Sequence, residues 1–217
     1  MSASRNSAST AIFAGAGAIL VVMALHPTGR EAVADASQPA GGHVLALARG
    51  VHTLAIAAIP LLLAGMVALS WRLRRRPELA VGALVAYSLA SVAVLFAAVM
   101  SGLVAPSLLD GLPPAGDPLR DVALQQLHYT GALNQAFAKV YVGLVALALA
   151  LWSLAMRGDA AFPRALVWFG PVAGILPLAL LLAGHLTLGV QGFGFVVALH
   201  AAWMLWSAWA MQRAATE

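Results

Sequence analysis

Six long apolar segments, separated by short polar ones, dominate this sequence. Each is close to the roughly 20 mostly apolar residues that a helix needs to cross the hydrocarbon core of a bilayer. Proline, glycine and charge clusters between them predict loops. The pattern predicts an all-α polytopic integral membrane protein, a six-helix transmembrane bundle of three hairpins that forms a single domain over 1–217. The predicted helices are 8–25, 45–70, 80–104, 131–156, 166–188 and 193–212.

Composition supports the membrane class and excludes several kinds of chemistry. Hydrophobic residues make up 62% of the chain and charged residues only 9%, whereas soluble domains carry about 25% charge. The chain has no cysteine, which excludes disulfides, thiolate-bound metals and thiol nucleophiles. The net charge of +4 does not indicate nucleic acid, because the arginines lie in short loops rather than in one basic stripe. The expected surroundings are a lipid bilayer.

Arginine placement predicts the orientation of the helices. Cytoplasmic loops of membrane proteins are enriched in Lys and Arg, and the loops on one side carry many more arginines than those on the other. The rich side has Arg5, Arg72, Arg74, Arg75, Arg76, Arg157, Arg164 and Arg213; the poor side has Arg30 and Arg120. We therefore expect a multi-pass protein of a bacterial-type inner membrane with both termini cytoplasmic. Ala34-Asp35-Ala36 resembles a signal-peptidase site but lies too far beyond the apolar run, so the first helix is predicted to be retained.

All six histidines fall on the predicted outer half, and three of them lie within helices. His52 and His200 are each about seven residues into a helix, a depth of roughly 10 Å, and His185 is about 5 Å deep. Ionisable residues inside a membrane usually face a cavity or the bundle interior. These three histidines are therefore candidate site residues, although a neutral imidazole also serves as a hydrogen bond between helices.

Two cations of the predicted spans lack an evident anionic partner. Arg49 lies one turn from His52 on the same helix face. Lys139, the deepest cation, belongs to a polar stripe on the fourth helix that also contains Asp121, Gln125, His128 and Gln135. No Asp or Glu lies within the apolar spans. Three explanations stay open: the cations snorkel to the interface, Asp117 or Asp121 folds back over them, or a bound anion neutralises them.

The first functional hypothesis is a b-type haem for electron transfer. His52 and His200 would be its axial ligands, and Arg49 and Lys139 would accompany it as cofactor-binding residues, with Arg49 pairing a propionate. Such a haem near the outer face would pass electrons between a membrane quinol and an external redox partner. Only one haem is expected, since no histidine lies on the cytoplasmic side.

The alternatives are a bare metal site and a protein without a cofactor. Copper or zinc suits imidazole ligands, here His52, His185 and His200, with His128 and His26 at the outer approach. The methionines are scattered over several helices and depths and predict no soft-metal pathway. A non-catalytic scaffold or accessory subunit, in a homo-oligomer or a larger membrane complex, is the third hypothesis. The sequence leaves open whether the protein is an enzyme.

Overall fold

The computed structural model describes residues 2–27 and 42–216, with side chains for 8–27 and 42–214. Within those ranges, helices are the only regular secondary structure. Six of them are long and apolar enough to cross a membrane, which indicates a multi-pass membrane protein. Their bounds are α1 Ser2–Leu25, α2 His43–Arg72, α3 Pro77–Asp110, α4 Leu119–Met156, α5 Arg164–Leu182 and α6 Val190–Thr216. Ala34-Asp35-Ala36 and Arg30 lie outside the described residues.

The helices follow one another around a ring. Each packs against the next in sequence, and α1 also packs against α6, which closes the ring. Small residues permit the close approaches, as is usual where helices pack in membranes: Gly65 of α2 meets Ile12 of α1, and Gly174 of α5 meets Ala146 of α4. Large apolar side chains such as Leu182 and Val81 point outward instead, as contact with lipid requires.

Several helix ends differ from the predicted ones, among them the start of α1 at Ser2 rather than 8, and two of the differences have a local reason. The helix α4 begins at Leu119 rather than 131, since the Leu119 amide donates to the Asp117 carboxylate over 2.8 Å. The polar first turns of α4 carry no hydropathy signal. The helix α5 ends at Leu182 rather than 188, because Gly184 takes a φ of +74° and the following amides turn back to the Leu180 carbonyl, as at many glycine-terminated helices. In addition, α3 continues to Asp110, whereas the predicted helix ends at 104.

One end of the bundle, here called the arginine end, carries cations placed over aromatic rings. Arg72, Arg157 and Arg213 lie over Phe162, Trp168 and Trp209, at 5.5, 5.0 and 4.3 Å from the ring centroids. Such contacts are typical of cationic side chains beside aromatic faces. The opposite end, where α1 ends and α2 begins, is called the histidine end.

Trp152 is the centre of the buried core between the arginine end and the middle of the bundle. This indole is fully buried and donates to the Ser70 hydroxyl over 2.9 Å. Its ring stacks on that of Trp203, with the ring centroids 6.0 Å apart, and it also contacts the ring of Tyr87, with the centroids 5.5 Å apart. Side chains of four helices thus meet at one level and close the bundle on that side.

Candidate functional site: a histidine pair at the head of a neutral cavity

A cavity of about 510 Å³ occupies the half of the bundle towards the histidine end. Residues of α1, α2, α3, α4 and α6 line it, and Tyr87 forms part of its floor above Trp152. Most of the lining is apolar. The polar side chains are those of His26, His52, Tyr87, Ser91, Ser101, Asn134, Gln135, Tyr141 and His200. Among the described lining residues there is no Asp, Glu, Lys or Arg.

His52 is held in one orientation from within its own helix. Its ring is buried, and Nδ1 lies 2.7 Å from the carbonyl oxygen of Ala48, one turn earlier. A carbonyl oxygen only accepts hydrogen bonds, so Nδ1 must carry the proton. In the neutral ring, Nε2 therefore has a free lone pair. Metal-ligating histidines almost always fix their other ring nitrogen in this way.

The helix opposite His52 is distorted where the ring packs. Residues Met100–Val104 of α3 form a π-helical turn, a feature that is frequent at functional sites. Gly102, within that turn, lies directly against His52, so that a Cβ added there would overlap the Cβ and Cγ of the histidine. The absence of a side chain at Gly102 is thus a condition for the position of the His52 ring.

His26 completes a pair with His52. It follows the last residue of α1, and its Nδ1 lies 2.8 Å from the carbonyl oxygen of Pro27. Its Nε2 lies 3.2 Å from Nε2 of His52, with the ring centroids 4.8 Å apart and the planes inclined by 70°. The two nitrogens that converge are thus the two that are not fixed to carbonyl groups.

If Nδ1 carries the proton on both rings, this geometry needs a positive charge between them. With both Nδ1 atoms protonated, two neutral rings would present two lone pairs to each other and no hydrogen between them. A proton shared by the two Nε2 atoms, a metal ion, or a His26 tautomer that donates from Nε2 to His52 resolves this contact. For metal–nitrogen bonds of about 2.0–2.1 Å, a nitrogen separation of 3.2 Å corresponds to an angle of roughly 100–106° at the metal, near the tetrahedral value.

His200 borders the same cavity from α6 but has other neighbours. Its ring is fully buried, and Nδ1 lies 3.4 Å from the Tyr141 hydroxyl. Nε2 has no geometrically good hydrogen bond in the described part of the chain. The structure thus places His52 and His200 in the lining of one cavity, at nine and ten residues from the starts of α2 and α6.

The other predicted histidines lie away from this cavity. His185 is exposed in the loop after Gly184, and His128 is exposed on the polar first part of α4. The structure therefore does not bring His185 or His128 to His52. Of the predicted polar stripe on α4, Gln135 alone reaches the lining, where its amide donates to the Leu188 carbonyl.

Arg49 has an anionic partner that the sequence did not make evident. Arg49 forms a salt bridge with Asp110, at the end of α3, and both side chains are partly exposed. The prediction overlooked this pairing because Asp110 follows the apolar run of its helix. Lys139 is exposed on the outer surface of α4 and does not line the cavity. Snorkelling of Lys139 to the interface stays a prediction; α4, with 38 residues, is longer than the roughly 20 residues that a membrane core needs.

Sequence reasoning missed His26 as a partner of His52, and it missed Gly102. The signal for Gly102 was a glycine four residues before Pro106 in an apolar helix, a combination that commonly marks a local distortion. Two methionines, Met23 and Met204, also line the cavity, so the scattered methionines include two near the site.

Within residues 2–27 and 42–216 no group of three or more His, Asp, Glu or Cys side chains is placed to hold a metal ion. The described chain thus offers the histidine pair as two nitrogen ligands. Comparison of the sequence and structure with protein-family profiles, with curated proteins and with solved structures finds no match.

Proposed function

We propose that this protein binds a transition-metal ion at the His26–His52 pair, and that the ion is Cu⁺. The observation that carries the proposal is the convergence of two Nε2 atoms to 3.2 Å while both Nδ1 atoms face carbonyl oxygens. Imidazole nitrogens are suitable ligands for copper and zinc. The pair is then a preformed half of a tetrahedral site, whose other positions are left to water or to a further group of the cavity.

The charge of the surroundings favours Cu⁺ over Zn²⁺. Burying an ion without a counter-charge is costly, and the described lining has neither a carboxylate nor a thiolate. A monovalent ion brings the same charge as the proton that it displaces, whereas a divalent ion brings one more. The thioether of Met23, which also lines the cavity, is a soft ligand of the kind that Cu⁺ accepts.

The metal would reach the site from outside the cell. The arginine end carries most of the basic residues, which favours a cytoplasmic location for that end and for both termini in a bacterial-type inner membrane. The solid core around Trp152 separates the cavity from that end. A reporter fused after Glu217 that is active only on the outer side would contradict this orientation.

A b-type haem is the second candidate, supported by the presence of His52 and His200 at similar depths around one cavity. Two features reduce that support. Haem propionates need cationic partners, but Arg49 binds Asp110 and the described lining has no cation. His52 Nε2 is also already directed at His26. A Soret band from the purified protein after haem supplementation would favour this candidate over copper.

Metal titration of single-histidine variants tests the copper proposal. After chelator washing, the detergent-purified protein is expected to take up about one Cu⁺ per chain in competition with a chromophoric Cu⁺ chelator. His26→Ala and His52→Ala each remove one nitrogen ligand and are expected to weaken binding by roughly tenfold or more. Acidification is expected to release the metal, because protons compete for the same lone pairs.

His128→Ala and His185→Ala are the matched controls, since both rings are exposed and away from the cavity. They are expected to leave Cu⁺ affinity unchanged. The proposal is wrong if the unaltered protein binds no Cu⁺, or if the control variants weaken binding as much as His52→Ala does.

A further inference from the structure

A second polar feature of the cavity lies on α4, apart from the histidine pair. Asn134, Ala138 and Tyr141 are spaced by four and three residues, so they share one helix face, and all three line the cavity. The Tyr141 hydroxyl lies 3.4 Å from His200 Nδ1. The Asn134 carboxamide has no hydrogen bond within the part of the chain that the structure describes. The metal proposal gives neither side chain a role.

The chemistry of the lining restricts what else the cavity can hold. Its volume of about 510 Å³ lies within the range of ligand pockets, roughly 300–1,000 Å³. A charged organic ligand would lose its hydration without gaining a counter-ion, because the described lining carries no Asp, Glu, Lys or Arg. A neutral molecule with an apolar body and a few hydrogen-bonding oxygens matches these walls.

The spacing of the two α4 side chains points to a specific class of neutral molecule. Seven residues of α-helix separate Asn134 from Tyr141, so the two side chains lie two turns apart on the face of α4 that lines the cavity. A 1,4-benzoquinone carries its carbonyl oxygens at opposite ends of one flat ring, so each oxygen can accept a hydrogen bond from a different turn of the helix. Both side chains have a hydrogen-bond donor; the Tyr141 hydroxyl donates to the ligand when His200 carries its proton on Nδ1 and donates to the hydroxyl oxygen.

We propose that the cavity binds a membrane quinone, with its ring along α4, one oxygen at Asn134 and the other at the Tyr141 hydroxyl beside His200. The apolar lining, which includes Val94 and Phe193, contacts the ring and the first part of the tail. Binding of the quinone does not need the metal, although both sites belong to one cavity. Either inference can therefore fail while the other holds.

Binding of decylubiquinone to the detergent-purified protein tests this inference. The probe is added in steps, and quenching of tryptophan fluorescence is followed, since Trp152 and Trp203 lie beneath the cavity floor. Saturable quenching is expected. Tyr141→Phe and Asn134→Leu each remove one hydrogen bond and are expected to weaken binding about three- to tenfold. Ala98→Leu, which fills part of the cavity, is expected to weaken it as well.

Tyr129→Phe is the matched control, because Tyr129 is 65% exposed on the same helix; it is expected to bind the quinone normally. Cu⁺ titration of Tyr141→Phe serves as the folding check, and unchanged metal affinity is expected. Absence of saturable quenching by the unaltered protein would overturn the inference. Binding of the quinone by Tyr141→Phe and Asn134→Leu with the affinity of the unaltered protein would also overturn it. So would binding of hexadecane as strong as that of decylubiquinone, which would identify a site for an acyl chain.

Discussion

Gly102→Ala is expected to disable the metal site and to destabilise the fold at the same time. The new methyl group would overlap the Cβ and Cγ of His52, atoms too close to the backbone of α2 to move aside cheaply. Overpacking of this kind typically costs about 1–3 kcal/mol. Because the His52 ring must shift, Cu⁺ affinity is expected to fall to the level of His52→Ala. Chelator competition and denaturant unfolding in detergent measure the two effects.

The control for this change is Gly143→Ala. Gly143 is also within a helix, but a Cβ added there meets nothing within 4 Å, so the substitution is expected to raise stability by up to about 1 kcal/mol through helix propensity. A double variant, Gly102→Ala with His52→Ala, is expected to bind Cu⁺ no worse than either single variant, because both act on one ring. Normal Cu⁺ binding by Gly102→Ala would contradict the assigned position of His52.

Trp152→Ala is expected to cause the largest loss of stability in the core. The indole is fully buried, stacks on Trp203 and donates to Ser70. Truncation of a buried aromatic residue typically costs about 3–5 kcal/mol, and packing of this type is what holds helices together in a membrane. The change also removes the layer beneath the cavity floor. Denaturant unfolding of the two proteins in the same detergent gives the difference.

Trp71→Ala is the corresponding control, since its indole is 73% exposed and faces the surroundings of the bundle. It is expected to change the free energy of unfolding by less than about 0.5 kcal/mol. Equal losses for Trp152→Ala and Trp71→Ala would show that the Trp152 cluster is not the main packing centre.

Hydropathy was sufficient to predict the six helices, but not where they end. An apolar run reports the hydrocarbon core only, so it could not reveal the first twelve residues of α4 or the extension of α3 to Asp110. The extension of α3 mattered for the site, because it brought Asp110 to Arg49 and removed the main reason for expecting a bound anion.

The depth of histidines could be counted from the sequence, but not their partners. Counting placed His52 and His200 at similar depths, and both do line one cavity; their role as haem ligands stays a prediction. The contact between His26 and His52 depends on how α1 and α2 are aligned, which no periodicity specifies. His185 was placed within a helix because the apolar run continues past Gly184, whereas the positive φ of that glycine ends the helix earlier.

X-ray absorption spectroscopy of the copper-loaded protein tests the central claim most directly, because it counts the nitrogen ligands around the metal. The account predicts two imidazole nitrogens at about 2.0 Å in the unaltered protein and one in His26→Ala. A spectrum without imidazole scattering, or one that is the same in His26→Ala and the unaltered protein, would contradict it.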